Sequence, residues 1–351
     1  MKSLPEGIQK ILIRSTNWIG DAVMTTPAVR TIRHNYPEAE ITLLGLPWVA
    51  DVFSASPHVD KIFTYDKNGR HSGIKGKFVL AGDLREKAYD AAILLQNAFE
   101  AAFITTLARI PVRAGYTTDG RGLLLTHGVK KHQDIKLRHQ VHYYQEMLQG
   151  LGLQPGPDEL ELYINDEDIF WSANTVSQYA AGQKASIIGI NPGAAYGPAK
   201  CWPVEKYAAL AKKLCQEQDV IVVVFGTKAD CVAAKQIQEA VNNQIKVVDL
   251  TGKTTLGQAL AMISLCNVFV TNDSGLMHVS AALKVPTVAI FGSTDHIATG
   301  PYSENASIVR IELDCSPCLE THCPKKHFRC MEDIEVDDVV HAVYAHLKKV
   351  S

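Results

Sequence analysis

Over the first 130 positions, apolar residues come in short bursts separated by longer stretches of helical spacing. Ile11–Ser15, Ile41–Gly45, Lys61–Tyr65, Ala91–Leu95 and Arg113–Tyr116 read as strands. Ala22–Ile32 has helical spacing, with Pro27 inside it. Strands alternating with helical segments make βαβ units and hence a parallel sheet. From about 152 to 185 the pattern breaks, and Gly152-Leu-Gln-Pro-Gly-Pro-Asp158 is dense in residues that interrupt helices and strands. Alternation resumes at Ile187–Ile190. Val220–Phe225 is a continuous apolar run, as expected of a strand covered on both faces. Val247–Leu250, Val268–Thr271 and Thr287–Phe291 follow, and Val336–Lys349 has helical spacing with no strand after it. The predicted class is α/β, with two doubly wound Rossmann-like domains at 1–165 and 175–330. A C-terminal helix occupies 331–351, and packing back on the N-terminal domain is one option for it. Open parallel sheets bind ligands beyond the carboxyl ends of their strands, so the site is expected in a cleft where two such domains face each other.

Composition adds exclusions. Hydrophobic residues are 46% and charged residues 21% of the 351, which fits a packed globular chain and not a disordered one. The formal net charge of -2 argues against nucleic acid as a partner. No apolar run reaches the ~18–20 residues that span a bilayer. The opening MKSLPEGIQKILIRSTNWIGDAV carries Arg14 and Asp21 and no uninterrupted apolar core, so it reads as mature, cytosolic protein. Cys201, Cys215, Cys231 and Cys266 are scattered, as free thiols of a reducing compartment are.

Chemistry gathers at the strand ends. Gly20-Asp21 follows the first strand at the start of a helix, where Asp21 is either an N-cap or a carboxylate kept ionised as a general base. Asn191-Pro-Gly-Ala-Ala-Tyr-Gly-Pro-Ala-Lys-Cys-Trp-Pro203 follows the first strand of the second half. Its Gly193 and its single cation Lys200 suit a phosphate, although the spacing is not that of a P-loop. Thr271-Asn-Asp-Ser-Gly-Leu-Met-His278 joins a strand to an Ala-rich helix. Asp273, Ser274 and Gly275 form the turn, and His278 lies in the first helical turn. Such a turn lets a diphosphate approach backbone N–H groups, and an imidazole there offsets its charge. The plain alternative is a capping residue and a solvated histidine. Gly226 and Thr227 after one strand, and Thr254 and Thr255 after another, offer backbone and hydroxyl groups to a nucleoside or are ordinary turn residues.

Taken together, Gly20-Asp21 with Pro27, Asn191-Pro-Gly193 with Lys200-Cys-Trp-Pro203, and Asp273-Ser-Gly-Leu-Met-His278 resemble glycosyltransferase family nine, the heptosyltransferases of lipopolysaccharide core assembly. The resemblance runs over nearly the whole chain. It implies a GT-B architecture, with the acceptor on the N-terminal domain and the nucleotide-sugar on the C-terminal one. It implies inverting transfer of heptose from ADP-L-glycero-β-D-manno-heptose to the first heptose on Kdo-lipid A. The enzyme would sit peripherally at the cytoplasmic face of the inner membrane. In the family the aspartate matching Asp21 is the proposed base, the lysine matching Lys200 contacts the donor phosphates, and the stretch matching Asp273–His278 lines the donor site. No Asp-x-Asp sits at a strand end, so catalysis is expected to need no cofactor. An anionic acceptor calls for cations on the first domain, and Arg70, Lys75 and Lys77 of a basic, glycine-rich stretch, with Arg113 and Arg121, are the candidates. The alternatives are a related transferase with another nucleotide-sugar or acceptor, and a non-catalytic nucleotide-sugar-binding protein.

The remaining cysteines, Cys315, Cys318, Cys323 and Cys330, fall within one short segment with His322 and His327. Four thiolates so spaced suit a structural zinc, although the spacing is not that of a standard finger; free thiols are the alternative.

Overall fold

A computed structural model describes residues 2–180, 185–241 and 246–350. The chain divides into two compact units, 1–163 and 164–351. In the first unit the strands are β1 (Lys10–Arg14), β2 (Glu40–Gly45), β3 (Lys61–Thr64), β4 (Ala91–Leu94), β5 (Val112–Tyr116) and β6 (His127–Val129). Its helices are α1 (Ile19–Met24), α2 (Thr26–Asn35), α3 (Pro47–Ala50), α4 (Gly73–Glu86), α5 (Phe99–Leu107) and α6 (Gln140–Gly150). The second unit opens with α7 (Asp166–Ala180) and contains β7 (Ser186–Asn191), β8 (Val220–Val224), β9 (Val247–Asp249), β10 (Val268–Asn272), β11 (Thr287–Phe291) and β12 (Ala306–Arg310). Between and after these strands lie α8 (Val204–Glu217), α9 (Cys231–Val241), α10 (Leu256–Ser264), α11 (Gly275–Ala282), α12 (His296–Thr299), α13 (Arg329–Glu332) and α14 (Val336–Val350).

The two sheets repeat one topology. The first runs β3-β2-β1-β4-β5-β6 and the second β12-β11-β10-β7-β8-β9, every pair parallel. Counted within each unit, both are the dinucleotide-binding order 3-2-1-4-5-6. That order reverses between β1 and β4 in one sheet and between β7 and β10 in the other. At such a switch point the connections leave to opposite faces, opening a crevice at the strand ends.

Alternation along the strands builds the cores. Leu12, Leu44 and Leu94 pack with Leu80 and Leu84 of α4 and Ala101 and Ile104 of α5. In the second unit Ile188, Ile190, Val222, Val270 and Ile290 meet Leu210 and Leu214 of α8. Val339, Val340 and Val343 of α14 join that same core. The last helix thus buries these valines within unit 164–351. The predicted helix 22–32 divides, because Pro27 lacks an N–H and clashes in a helix interior. The chain breaks at Thr25 and places Pro27 in the first turn of α2.

Trp202 is 1% exposed, packs in the second core, and its Nε1 donates to the Ile334 carbonyl at 3.0 Å. Trp202→Ala is expected to cost about 3–5 kcal/mol from lost contact and the cavity left behind, read as a lower urea midpoint with an unchanged slope.

Candidate active site

In the first unit the site is built on the β1 end. Asp21 is half-buried in the first turn of α1, whose N-cap is Trp18, so Asp21 is not the capping residue. Tyr144 of α6 is buried beside it. Burial and then the Asp21 charge push the Tyr144 phenol far above its ordinary value. Beneath the turn, Arg14 is 2% exposed; burial pulls its guanidinium down to about 10 against the opposing pull of Glu100 and Tyr65. Arg14 donates from Nη2 to Asn17 Oδ1 at 3.0 Å, and the Asn17 carbonyl accepts from Trp48 Nε1 at 3.1 Å. Trp18 and Trp48 are nevertheless 60% and 46% exposed. Buried Ser15 Oγ, Thr16 Oγ1 and Gln96 Oε1, at the ends of β1 and β4, have no hydrogen-bond partner among the described residues. The switch point of this sheet thus combines a carboxylate, unsatisfied polar groups and two open indole faces.

The acceptor-side candidates divide. Arg121 is fully buried: Nε donates to the Tyr116 carbonyl at 2.8 Å, Nη2 to Asn97 Oδ1 at 3.0 Å, and Nη1 to the Gln96 carbonyl. It is an internal brace for the β4 end, not a surface cation. Arg113 is half-buried and donates to the carbonyls of Leu124 and Ile110. Lys77 pairs with Glu100 at 2.6 Å, and Arg70, 67% exposed, pairs with Asp83 at 2.7 Å. Lys75 is exposed on α4. The basic, glycine-rich stretch is a turn and a helix. Asp66 accepts from the Gly69 and Arg70 N–H groups, each at 2.9 Å, and α4 begins at Gly73.

In the second unit three chain segments converge at the β7–β10 switch point. Lys200 ends a short 3-10 turn, and its Nζ lies 2.5 Å from Asp273 Oδ2. The same oxygen accepts from Thr294 Oγ1 at 2.7 Å. Lys200 Nζ also sits 4.6 Å from the centre of the Tyr196 ring. The pair is largely shielded, with side-chain exposures of 13% and 6%. Asn191 Nδ2 donates to Ser274 Oγ at 2.8 Å and Thr271 Oγ1 at 3.1 Å. Asn272 Oδ1 accepts from Trp202 N–H and Tyr207 Oη, both at 3.0 Å, while its Nδ2 donates to the Pro192 carbonyl at 2.7 Å. These bonds tie the loop after β7 to the end of β10. Ser274 is the N-cap of α11, and His278 is buried, not solvated. A Cβ at Gly193 would stand 2.4 Å from Asp230 Oδ1, so only glycine allows that approach.

The nucleoside candidates divide differently. Thr227 and Thr255 each form a capping box, with Asp230 and Gln258 respectively, so both hydroxyls already have local partners. Gly226 keeps its place beyond β8, and Thr254 is half-buried before α10.

The cysteine segment braces the loop after β7. Ala199 N–H donates to the Thr321 carbonyl at 3.1 Å, Tyr196 Oη to the Leu319 carbonyl at 2.8 Å, and Leu319 N–H to the Ser293 carbonyl at 2.7 Å. All four thiols and His327 border one cavity of about 20 Å³. Cys315 Sγ lies 3.9 Å from His327 Nε2. Burial raises the Cys323 thiol, but the N–H groups of Phe328, His327, Lys325 and Lys326 outweigh this and hold it below its ordinary value. Among the described residues no group of three His, Cys, Asp or Glu side chains is placed to hold a metal ion.

The motif reading passed over Asn272, Thr294, Trp18 and Trp48. Asn272 and Thr294 flank named residues at strand ends, but their roles depend on contacts across the sheet. The two tryptophans are set apart by their exposure, which the sequence does not show.

Two Rossmann-ordered sheets, with a carboxylate at one switch point and a lysine–aspartate pair at the other, define a GT-B-like glycosyltransferase. The model of glycosyltransferase family 9 (heptosyltransferase) matches residues 78–329, and the chain belongs to this family. It is 34% identical over 312 residues to lipopolysaccharide heptosyltransferase 2 of Escherichia coli K12, covering 86% of this chain and 88% of that one. The structure of E. coli ADP-heptose LPS heptosyltransferase II superposes with a TM-score of 0.81 at 31% identity, over 97% of this chain and 99% of the other. A family 9 glycosyl transferase from Veillonella parvula shares the fold, with a TM-score of 0.87 at 24% identity over 99% of this chain and 100% of the other.

Proposed function

We propose that the chain transfers heptose, with inversion, from ADP-L-glycero-β-D-manno-heptose to the first heptose of heptosyl-Kdo-lipid A. The observation that carries this reading is the paired placement of Asp21 and of Lys200–Asp273 at equivalent switch points, in a chain similar over most of its length to lipopolysaccharide heptosyltransferase 2 proteins. The Asp21 carboxylate takes the proton from the acceptor hydroxyl, whose oxygen attacks the anomeric carbon opposite the diphosphate. The bond from that carbon to the phosphate oxygen breaks, and ADP leaves with the electron pair. Lys200, the Ser274 and Gly275 N–H groups and His278 receive the growing charge. An incoming diphosphate competes with Asp273 for Lys200, so the resting ion pair keeps the ammonium positioned before the donor arrives. Gly193, Gly226 and Thr254 line the nucleotide side. Lys75 and Arg70 meet acceptor anions, and the Trp18 and Trp48 faces receive sugar-ring C–H groups. No cofactor enters the mechanism, because the lysine and backbone dipoles meet the phosphate charge; turnover is expected to be unchanged in EDTA.

The work is placed at the cytoplasmic face of the inner membrane, in peripheral contact with it. No described helix is long and apolar enough to cross a membrane. The test is a donor and acceptor screen with purified protein. ADP release that requires both ADP-heptose and a heptosylated core acceptor is the expected result. Consumption of a different nucleotide-sugar, or ADP release indifferent to acceptor, would overturn the assignment.

A further inference from the structure

The exposed side of α4 is the least expected surface of the first unit. Ile74 is 74% exposed, Phe78 54% and Val79 39%, and Lys75 is exposed beside them. Positions 74, 75, 78 and 79 follow the i, i+1, i+4, i+5 pattern of a single helical stripe. The neighbouring α5 extends it. Phe103 packs edge-on to Phe78 with ring centres 6.4 Å apart and stacks on Phe99 at 6.2 Å, while Phe99 is itself 50% exposed. An aromatic and aliphatic patch of this kind is what monomeric proteins avoid unless it meets something.

The charge around it selects the occupant. Residues 66–87 carry six lysines and arginines against three carboxylates, in a chain whose total charge is -2. Asp83 and Glu100 hold Arg70 and Lys77, while Lys67 and Lys75 remain exposed. A helix with large apolar side chains outward, Lys75 on the same stripe and Lys67 in the turn before it fits the boundary of an anionic bilayer: rings enter the acyl region and ammonium groups meet headgroup phosphates. A protein partner of the same charge sign as the patch would be repelled.

We infer that the outer face of α4, with Ile74, Phe78 and Val79 as anchors and Phe99 beside them, docks this chain onto an anionic lipid surface. This rests on the reading that the acceptor is lipid-borne; docking through α4 brings the first unit to the layer in which such an acceptor is embedded.

Co-sedimentation with vesicles tests it, using phosphatidylcholine alone and phosphatidylcholine with about a third phosphatidylglycerol. The wild-type chain is expected to pellet with the anionic vesicles and not the neutral ones, and to be released by high salt. The double variant Ile74→Asn/Phe78→Asn should lose binding by about tenfold or more. Both proteins should show the same transfer to a lipid-free core acceptor, which reports folding and the proposed chemistry independently. Unchanged pelleting of the double variant, or equal binding to neutral vesicles, overturns the inference. So does a wild-type dimer that the double variant converts to monomer, because the patch would then be an interface between copies. Failure of the lipid-free transfer in both proteins would instead count against the proposed function.

Discussion

Asp21→Asn lowers the turnover number for heptose transfer by about a hundredfold to ten-thousandfold, the range expected when a positioned general base is lost. The substitution keeps the shape of the side chain and removes only its ability to take a proton. Asp21 belongs to unit 1–163, whereas Lys200, Asp273 and the α11 turn that are proposed to hold the donor belong to unit 164–351. ADP affinity, measured by calorimetry, should therefore stay within about twofold, a free-energy change below about 0.5 kcal/mol. A purely structural role predicts a different outcome: a carboxylate in a first helical turn contributes about 0.3–1 kcal/mol to the helix. The variant would then melt slightly earlier and turn over like the wild type.

Lys200→Ala has the second large effect, on two readouts. It removes the cation for the diphosphate, and it leaves the Asp273 carboxylate, 6% exposed, without its charge partner. Breaking a buried pair from one side costs roughly 3–5 kcal/mol. Part of that cost appears as lower stability and part as weaker donor binding, since an unpaired carboxylate repels phosphate. The expected fall in kcat/KM for the donor is about a hundredfold or more. Thr294 Oγ1 continues to donate to Asp273 and moderates the loss. The double variant Lys200→Ala/Asp273→Asn separates the two effects. Its stability should recover most of the way to wild type, because neither charge is left alone, while its activity stays low. If the single variant is as stable as wild type, the pair is not a coupled unit and the assignment of Lys200 as a held cation fails.

The fold was legible because both sheets are covered on their two faces. Runs such as Val220–Val224 and Ile11–Ile13 must then be apolar without interruption, and little else produces that pattern. The two strands that went unread are each at one edge of a sheet. β6 is three residues with a glycine at its centre, and β12 has no buried residue, with Ile308 exposed at its centre, so neither carries enough apolar signal. Strand order was not legible at all, because it depends on which face each crossover takes; yet it is the order that puts Asp21 and Asp273 at switch points. The glycine-rich turns that carry the candidate site residues were readable, since such turns restrict which side chains fit. Arg121 departs from its expected place at the surface for a physical reason. A guanidinium has five donors, and Arg121 directs its own at the carbonyls of Gln96 and Tyr116 and the side chain of Asn97, a use that sequence cannot separate from anion binding.

The most direct test follows the fate of the donor's anomeric carbon. Purified chain, ADP-L-glycero-β-D-manno-heptose and a lipid-free heptosylated core acceptor are combined, and the product is examined by nuclear magnetic resonance while ADP is counted by chromatography. One ADP released for each heptose joined, with the new linkage in the α configuration, is the result that a single carboxylate acting opposite a departing diphosphate requires. A β linkage, or ADP accumulating without a joined product, would contradict it.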